Sequence, residues 1–179
     1  MTDEQRMVRD TARRLSEDVI APAAARIDRQ DAFPRDIYMA LAELGLFGVA
    51  LPEEAGGAGL NAQTACLVME EIARGSGAVG NAFAIPVEAV LFLNHHGSEQ
   101  HKALIPGLLD GSVISATAVT EPDCGSDVAA MTTTARRDGD DYVISGSKAW
   151  VTFGQIADVV IVFAKTDPAA GAKGISCIL

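Results

Sequence analysis

Two short stretches concentrate the side chains that could hold a ligand. The first is Val119-Thr120-Glu121-Pro122-Asp123-Cys124-Gly125-Ser126-Asp127. Pro122 fixes one φ and Gly125 frees another. Successive N–H groups and the Ser126 hydroxyl can then face an anionic or carbonyl-rich ligand. The same residues equally make an ordinary turn capped by Ser126 or Asp127. The second stretch is Lys148-Ala149-Trp150-Val151-Thr152-Phe153-Gly154. Trp150, the single tryptophan, can fill a core or cover a flat cofactor, with Thr152 adding a hydroxyl hydrogen bond. Between the two lies Asp138-Gly139-Asp140-Asp141, a hairpin signal. A hairpin there can return the chain to the same mouth of a sheet.

The elements around these stretches fall into two kinds. The first part is patterned for helices. Thr2-x-x-Gln5 is a capping box, followed by an apolar stripe at Val8, Ala12, Leu15 and Val19. Pro34 suits a first helical position, with Ile37, Leu41 and Leu44 on one face and Gly45 as the stop. Asn61 can cap a helix carrying Ala65, Val68 and Ile72 that ends near Gly75. Pro86 opens another, apolar nearly all round as far as Leu93, which neighbours must bury. Ser98 can cap a further helix, which Pro106 kinks or splits before Gly111.

Beyond Gly111 the period changes to that of strands. Residues 113–119 are β-rich, residues 131–137 are expected to pair antiparallel with 142–146, and 159–163 form a continuous apolar run that reads as a largely buried strand. Another strand begins at Gly174, and the sequence ends inside it. The fold class is α+β: residues 1–111 all-helical, residues 112–179 an incomplete β-barrel.

The composition narrows the function. Asp and Glu number 24 against 14 Lys and Arg, for a net charge of -10. A nucleic-acid surface needs clustered Lys and Arg, and an anionic membrane would also repel this chain. The most apolar runs, 82–93 and 159–164, are respectively interrupted by Pro86 and Glu88 and too short, so no membrane span is expected. The opening Met1-Thr-Asp-Glu-Gln-Arg carries no secretory pattern. Cys66, Cys124 and Cys177 are scattered and odd in number, which suits free thiols in a reducing compartment and no metal site. Abundant Ala, and Arg in excess of Lys, read as a bacterial gene, so the expected setting is the bacterial cytoplasm.

Three other patterns are decoys. Gly57-Ala58-Gly59-Leu60-Asn61-Ala62 fits G-x-G-x-x-A, but no strand precedes it and no acidic residue lies between Ile72 and Val87. His95, His96 and His101 form a cluster only in sequence, because adjacent helical residues do not share a face. Glu70-Glu71 reads as a solvated helix face.

The matches taken together identify a family. Thr120-Glu121-Pro122, Gly125-Ser126-Asp127, Thr133-Thr134-Ala135, Gly139-Asp140, Tyr142-Val143-Ile144, Gly146-x-Lys148-x-Trp150-x-Thr152-x-Gly154 and Ala157-Asp158 resemble the middle-domain signature of acyl-CoA dehydrogenases. Leu51-Pro52-Glu53-Glu54-x-Gly56-Gly57-x-Gly59, Gly97-Ser98-Glu99-Gln100 and Leu104-Ile105-Pro106-x-Leu108 resemble its helical front part. The resemblance covers nearly the whole chain.

It implies an FAD enzyme that dehydrogenates acyl-CoA thioesters and passes electrons to an electron-transfer flavoprotein. It implies three domains: a helical one, a middle β-barrel and a C-terminal helical bundle. The flavin would meet the backbone of Val119 and the Thr120 hydroxyl, beside Thr117 and Ala118. Gly125 and Ser126 would hold the pyrophosphate region, Ser126 also facing the acyl-CoA. Trp150 would cover the ring, next to Val151, and Thr152 would bond near N5.

Three departures stand out. Phe153 replaces a usual Asn, Thr117 and Ala118 replace bulkier residues, and the C-terminal domain, which carries the glutamate base in the family, is absent from these residues. No catalytic residue is therefore assigned, and Glu121 reads as structural. Alone, the chain is expected to hold FAD weakly, to be inactive, and to self-associate or join a partner chain as a homo- or hetero-oligomer. The alternatives are an acyl-CoA oxidase or flavin monooxygenase of the same fold, or a non-catalytic partner subunit.

Overall fold

The computed structural model describes all 179 residues, which form two compact units, Met1–Val113 and Ile114–Leu179. The first unit is helical. Thr2 caps α1 (Asp3–Leu15) through the expected capping box. A π-helical turn at Ser16–Ile20 then joins α1 to α2 (Ala21–Gln30) without a break. That turn changes which residues face inward. Val19 is 41% exposed, whereas Gln5, Ala12, Ser16, Ile20 and Ile27 are buried. The expected stripe drifts off the core because a turn closed by i→i+5 bonds takes up an extra residue, bringing Ser16 and Ile20 under α4.

Helix α3 (Arg35–Glu43) buries Ile37 and Leu41, while Leu44 lies past its end and is exposed. Asn61 caps α4 (Ala62–Gly75) through the Thr64 amide. Helix α5 (Gly77–His96) starts well before Pro86, under the cap of Ser76. Proline in a helix interior costs about 3 kcal/mol. Burial of Val79, Phe83, Val87, Val90 and Leu93 along the same helix offsets it. By length and composition this helix could cross a membrane, contrary to the sequence expectation, but half of its apolar window is buried inside the unit. Pro106 follows a break between the short α6 (Glu99–Lys102) and α7 (Ile105–Leu109). The rings of Tyr38, Phe47 and Phe83 lie in series through the core, with centroids 4.8 and 6.3 Å apart.

Two decoys resolve here. The segment from Gly57 is a loop preceded by 3-10 turns, closed by Gly57 N–H on Pro52 O at 3.0 Å. A Cβ on Gly57 would collide with the Leu51 carbonyl, so this glycine serves a close backbone approach and not a phosphate. Glu71 is not solvated: it is 5% exposed, and its carboxylate meets Arg13 and Arg74.

The second unit is a five-stranded mixed sheet. Strand β1 (Ser115–Ala118) runs parallel to β4 (Val159–Lys165), which also pairs antiparallel with β5 (Ile175–Ile178). Strands β2 (Thr134–Asp138) and β3 (Asp141–Ser145) make the expected hairpin, with Arg137 opposite Tyr142 and Gly139 at φ +64 in its turn. Residues 159–163 are less buried than expected. Ile161 is 2% exposed, and the rest are half-buried, because neighbouring β1 offers only the small side chains Ser-Ala-Thr-Ala. Strand β3 is an edge, with Tyr142, Val143 and Ile144 all exposed.

Candidate functional site

Both signature stretches belong to the sheet unit, and direct bonds tie them together. The first continues from the end of β1. The second follows the hairpin. Lys148 Nζ donates to the Val119 carbonyl and to Glu121 Oε1, both at 2.9 Å. The Ala149 amide donates to the Thr120 carbonyl, also at 2.9 Å. At the far end of the second stretch, Ile114 N–H donates to Asp158 Oδ2 at 2.8 Å, and the Asp158 amide returns to the Ile114 carbonyl. The segment 149–158 is thus pinned beside both ends of β1 and spans its length.

Glu121 is the hub of this arrangement. Its side chain is 4% exposed and its partner Lys148 11%. Besides Lys148, Oε1 accepts the Thr133 amide at 2.9 Å, and Oε2 accepts the Thr132 amide and hydroxyl at 2.7 and 2.8 Å. Burial opposes its charge, but hydrogen bonds from Thr133, Thr132 and Lys148 outweigh burial and hold the carboxyl far below the usual carboxylate range. A carboxylate so engaged is a poor proton acceptor, which agrees with a structural role. Its own backbone closes the loop, with Glu121 N–H on Cys124 O and the reverse bond. Gly146 lets the hairpin approach: a Cβ there would meet Thr133.

The implied ligand-holding residues distribute as follows. Thr117 and Ala118 end β1; Ala118 is buried, and the Thr117 hydroxyl is enclosed with no hydrogen-bond partner. Val119 and Thr120 are half-buried, and Gly125 and Ser126 lie in the exposed limb of their loop. Val151 and Thr152 are half-buried on the second stretch. The direct bonds bring residues 119–121 onto 148–149, and Gly125 and Ser126 stand farther out on the same loop.

Trp150 is 92% exposed and has φ +58. A bulky residue with left-handed backbone is an outlier that costs of order 1–2 kcal/mol, and the exposed ring recovers almost nothing by burial. Phe153 has φ +65. Asn adopts that conformation more cheaply, so the Phe here carries a local cost. Lys148, Thr132 and Thr133 were not singled out by the sequence as holding the site. The signal available was a lysine and a glutamate of opposite charge on the two stretches that had to meet.

The residues present suit a flat ligand with a polar edge. The loop at Gly125 is open, since a Cβ there would touch nothing. Thr120 and Ser126 carry hydroxyls on the same loop, and a large ring is exposed at Trp150.

Comparison with known proteins decides the family. Residues 2–112 match the acyl-CoA dehydrogenase N-terminal domain, and residues 116–179 match the middle domain. The chain belongs to the acyl-CoA dehydrogenase family. Benzylmalonyl-CoA dehydrogenase of Aromatoleum aromaticum is 42% identical over 167 residues, 92% of this chain and 44% of that protein. A glutaryl-coenzyme A dehydrogenase solved with glutaryl-CoA superposes with a TM-score of 0.93 at 37% identity, covering 99% of this chain and 46% of that one. PigA, solved with FAD and proline, superposes with a TM-score of 0.89 at 30% identity, covering 99% and 47%. The chain spans about half the length of the relatives it matches. The α+β reading, helices first and sheet second, holds.

Proposed function

We propose that the sheet unit holds FAD and that the protein dehydrogenates an acyl-CoA thioester between its α and β carbons. The observation that carries this reading is the bonding of 119–121 onto 148–149, which joins the two stretches implied to hold one cofactor. PigA and the glutaryl-CoA dehydrogenase support it, one solved with FAD and the other with an acyl-CoA.

In this reading Val119 and Thr120 present backbone and hydroxyl groups to the polar edge of the flavin, beside Thr117 and Ala118. Gly125 and Ser126 serve the pyrophosphate, Ser126 also facing the acyl-CoA. Trp150 and Val151 cover the ring and exclude water, and Thr152 orients the reacting end. When bound, FAD supplies the acceptor for the substrate's β-hydrogen. The residues here position the two C–H bonds and the thioester. None of them is assigned as the base, and Glu121 is committed to its donors. An electron-transfer flavoprotein is the proposed electron acceptor. The apolar edge strand β3 supports an oligomer. Three free cysteines fit a reducing, cytoplasmic setting.

The test uses the single tryptophan. Titration of the protein with FAD should quench Trp150 emission saturably, and the full-length protein should reduce a dye only when an acyl-CoA is added. FAD titration with no change in Trp150 emission would overturn the placement. Oxygen consumption in place of dye reduction would identify an oxidase.

A further inference from the structure

We propose that Glu121 and Lys148 are positioning residues: together they form a buried, charge-balanced clamp that sets the direction of the Val119–Thr120 peptide and so of the donors offered to the cofactor's polar edge. The proposal rests on the FAD reading above and deepens it.

Lys148 Nζ holds the Val119 carbonyl at 2.9 Å. The chain contains no cis peptide, so the Thr120 N–H, on the opposite edge of the same planar unit, points away from Lys148. The next carbonyl, that of Thr120, is held by the Ala149 amide at 2.9 Å. Two successive peptides are thereby oriented by two adjacent residues of the other stretch. Neither can turn without breaking a bond to 148–149.

Charge explains why this clamp takes two ionised groups. Lysine offers three donors and no acceptor, so one ammonium can hold a carbonyl and a carboxylate together. A buried ammonium without a counter-charge is costly. Glu121 Oε1 supplies the counter-charge at 2.9 Å, and its other oxygen locks Thr132. The two charges cancel, leaving the neighbouring cofactor edge with oriented dipoles and no net charge. Removing one member does more than loosen the loop. It leaves an uncompensated charge of known sign beside the Val119–Thr120 peptide: Lys148 on the Val119 carbonyl, or Glu121 one residue beyond Thr120.

Glu121→Gln and Lys148→Met, made in the full-length protein, test this by two readouts: FAD affinity from flavin fluorescence, and the reduction potential of the bound flavin. Each substitution should weaken FAD binding roughly tenfold, the equivalent of losing a hydrogen bond to a charged group. The potentials should move in opposite directions. Glu121→Gln bares the Lys148 cation and makes the flavin easier to reduce; Lys148→Met bares the Glu121 anion and makes it harder. The double variant Glu121→Gln with Lys148→Met should return the potential toward wild type while affinity stays weak, and it remains informative if a single variant does not fold. Potentials that shift with the same sign, or not at all, would overturn the clamp in favour of a merely structural pair. If the wild-type protein binds no FAD, the FAD reading itself fails, a result distinct from wild-type binding that the substitutions leave unaltered, which sinks only the clamp.

Discussion

Arg13 on α1 grips the buried Glu71 of α4 with two hydrogen bonds, 2.5 Å from Nη2 and 3.1 Å from Nε. Arg74 adds a contact to the same carboxylate at 3.2 Å and reaches Glu17, in the π-helical turn, at 2.7 Å. The network therefore ties α1, the turn and α4 together, at the place where the helix register shifts. Arg13→Ala leaves Glu71 buried with only Arg74. A loss of about 2 kcal/mol of stability is expected, within the range for hydrogen bonds to charged groups, measured as a lower urea midpoint. Arg6→Ala is the control. Its ion pair with Asp3 is exposed, and its removal should change the midpoint little.

Acid stability follows from two carboxylates. Glu121 and Glu71 both titrate below their ordinary value in the folded chain, Glu71 chiefly because of its hydrogen bond with Arg13. With the folded value depressed, their stabilisation is complete above the unfolded value of about 4.3. It is lost as pH falls from there through the folded value. Stability should therefore drop steeply below about pH 4. Glu121→Gln should lower stability at pH 7 by about 3–5 kcal/mol, because it leaves Lys148 buried and unpaired, and should flatten the acid limb. An acid limb of wild-type steepness in Glu121→Gln would show that this carboxylate does not carry the effect.

Much of this was readable from the residues, and what was not has a definable cause. Local signals transferred well. The Thr2–Gln5 box, the Asn61 and Ser98 caps and the Asp138–Gly139 hairpin are set by bonds within a few residues. Signals that depend on distant partners did not. Glu71 looks solvated until Arg13 is brought across from another helix. Pro86 looks like a helix start until Ser76 and the buried face of α5 outweigh its cost. The stripe through Val19 fails because nothing local announces a π-helical turn. At the site, the family motif gave the ligand-holding residues as expectations. The Glu121–Lys148 pair, separated by 27 residues, needed the fold to bring it together.

Thr152 is the residue proposed to act at the reacting end of the flavin. Thr152→Val keeps the shape and removes the hydroxyl. In the full-length enzyme it should slow flavin reduction by about tenfold or more while changing the acyl-CoA dissociation constant little, because the lost bond acts where charge develops in the transition state. Stopped-flow reduction under saturating substrate separates the two effects. Wild-type reduction rates in this variant would remove Thr152 from the mechanism.

Trp150 should show opposite effects on stability and on binding. Its backbone sits at φ +58 and its ring is 92% exposed, so the residue carries conformational cost with little compensating burial. Asn adopts left-handed backbone more readily and avoids the added unfolded-state entropy of glycine. Trp150→Asn should therefore stabilise the protein without cofactor by roughly 0.5–1 kcal/mol, read as a higher Tm. The same change should weaken FAD binding several-fold, since an aromatic stacking contact contributes about 0.5–1.5 kcal/mol. FAD binding in this variant must be followed by flavin fluorescence, because the tryptophan signal is gone. Strain held at a position proposed to face a cofactor fits the clustering of such backbone outliers at functional sites. A lower Tm in Trp150→Asn would show instead that the ring contributes to packing in the protein without cofactor, and unchanged FAD affinity would remove it from the ring-covering role.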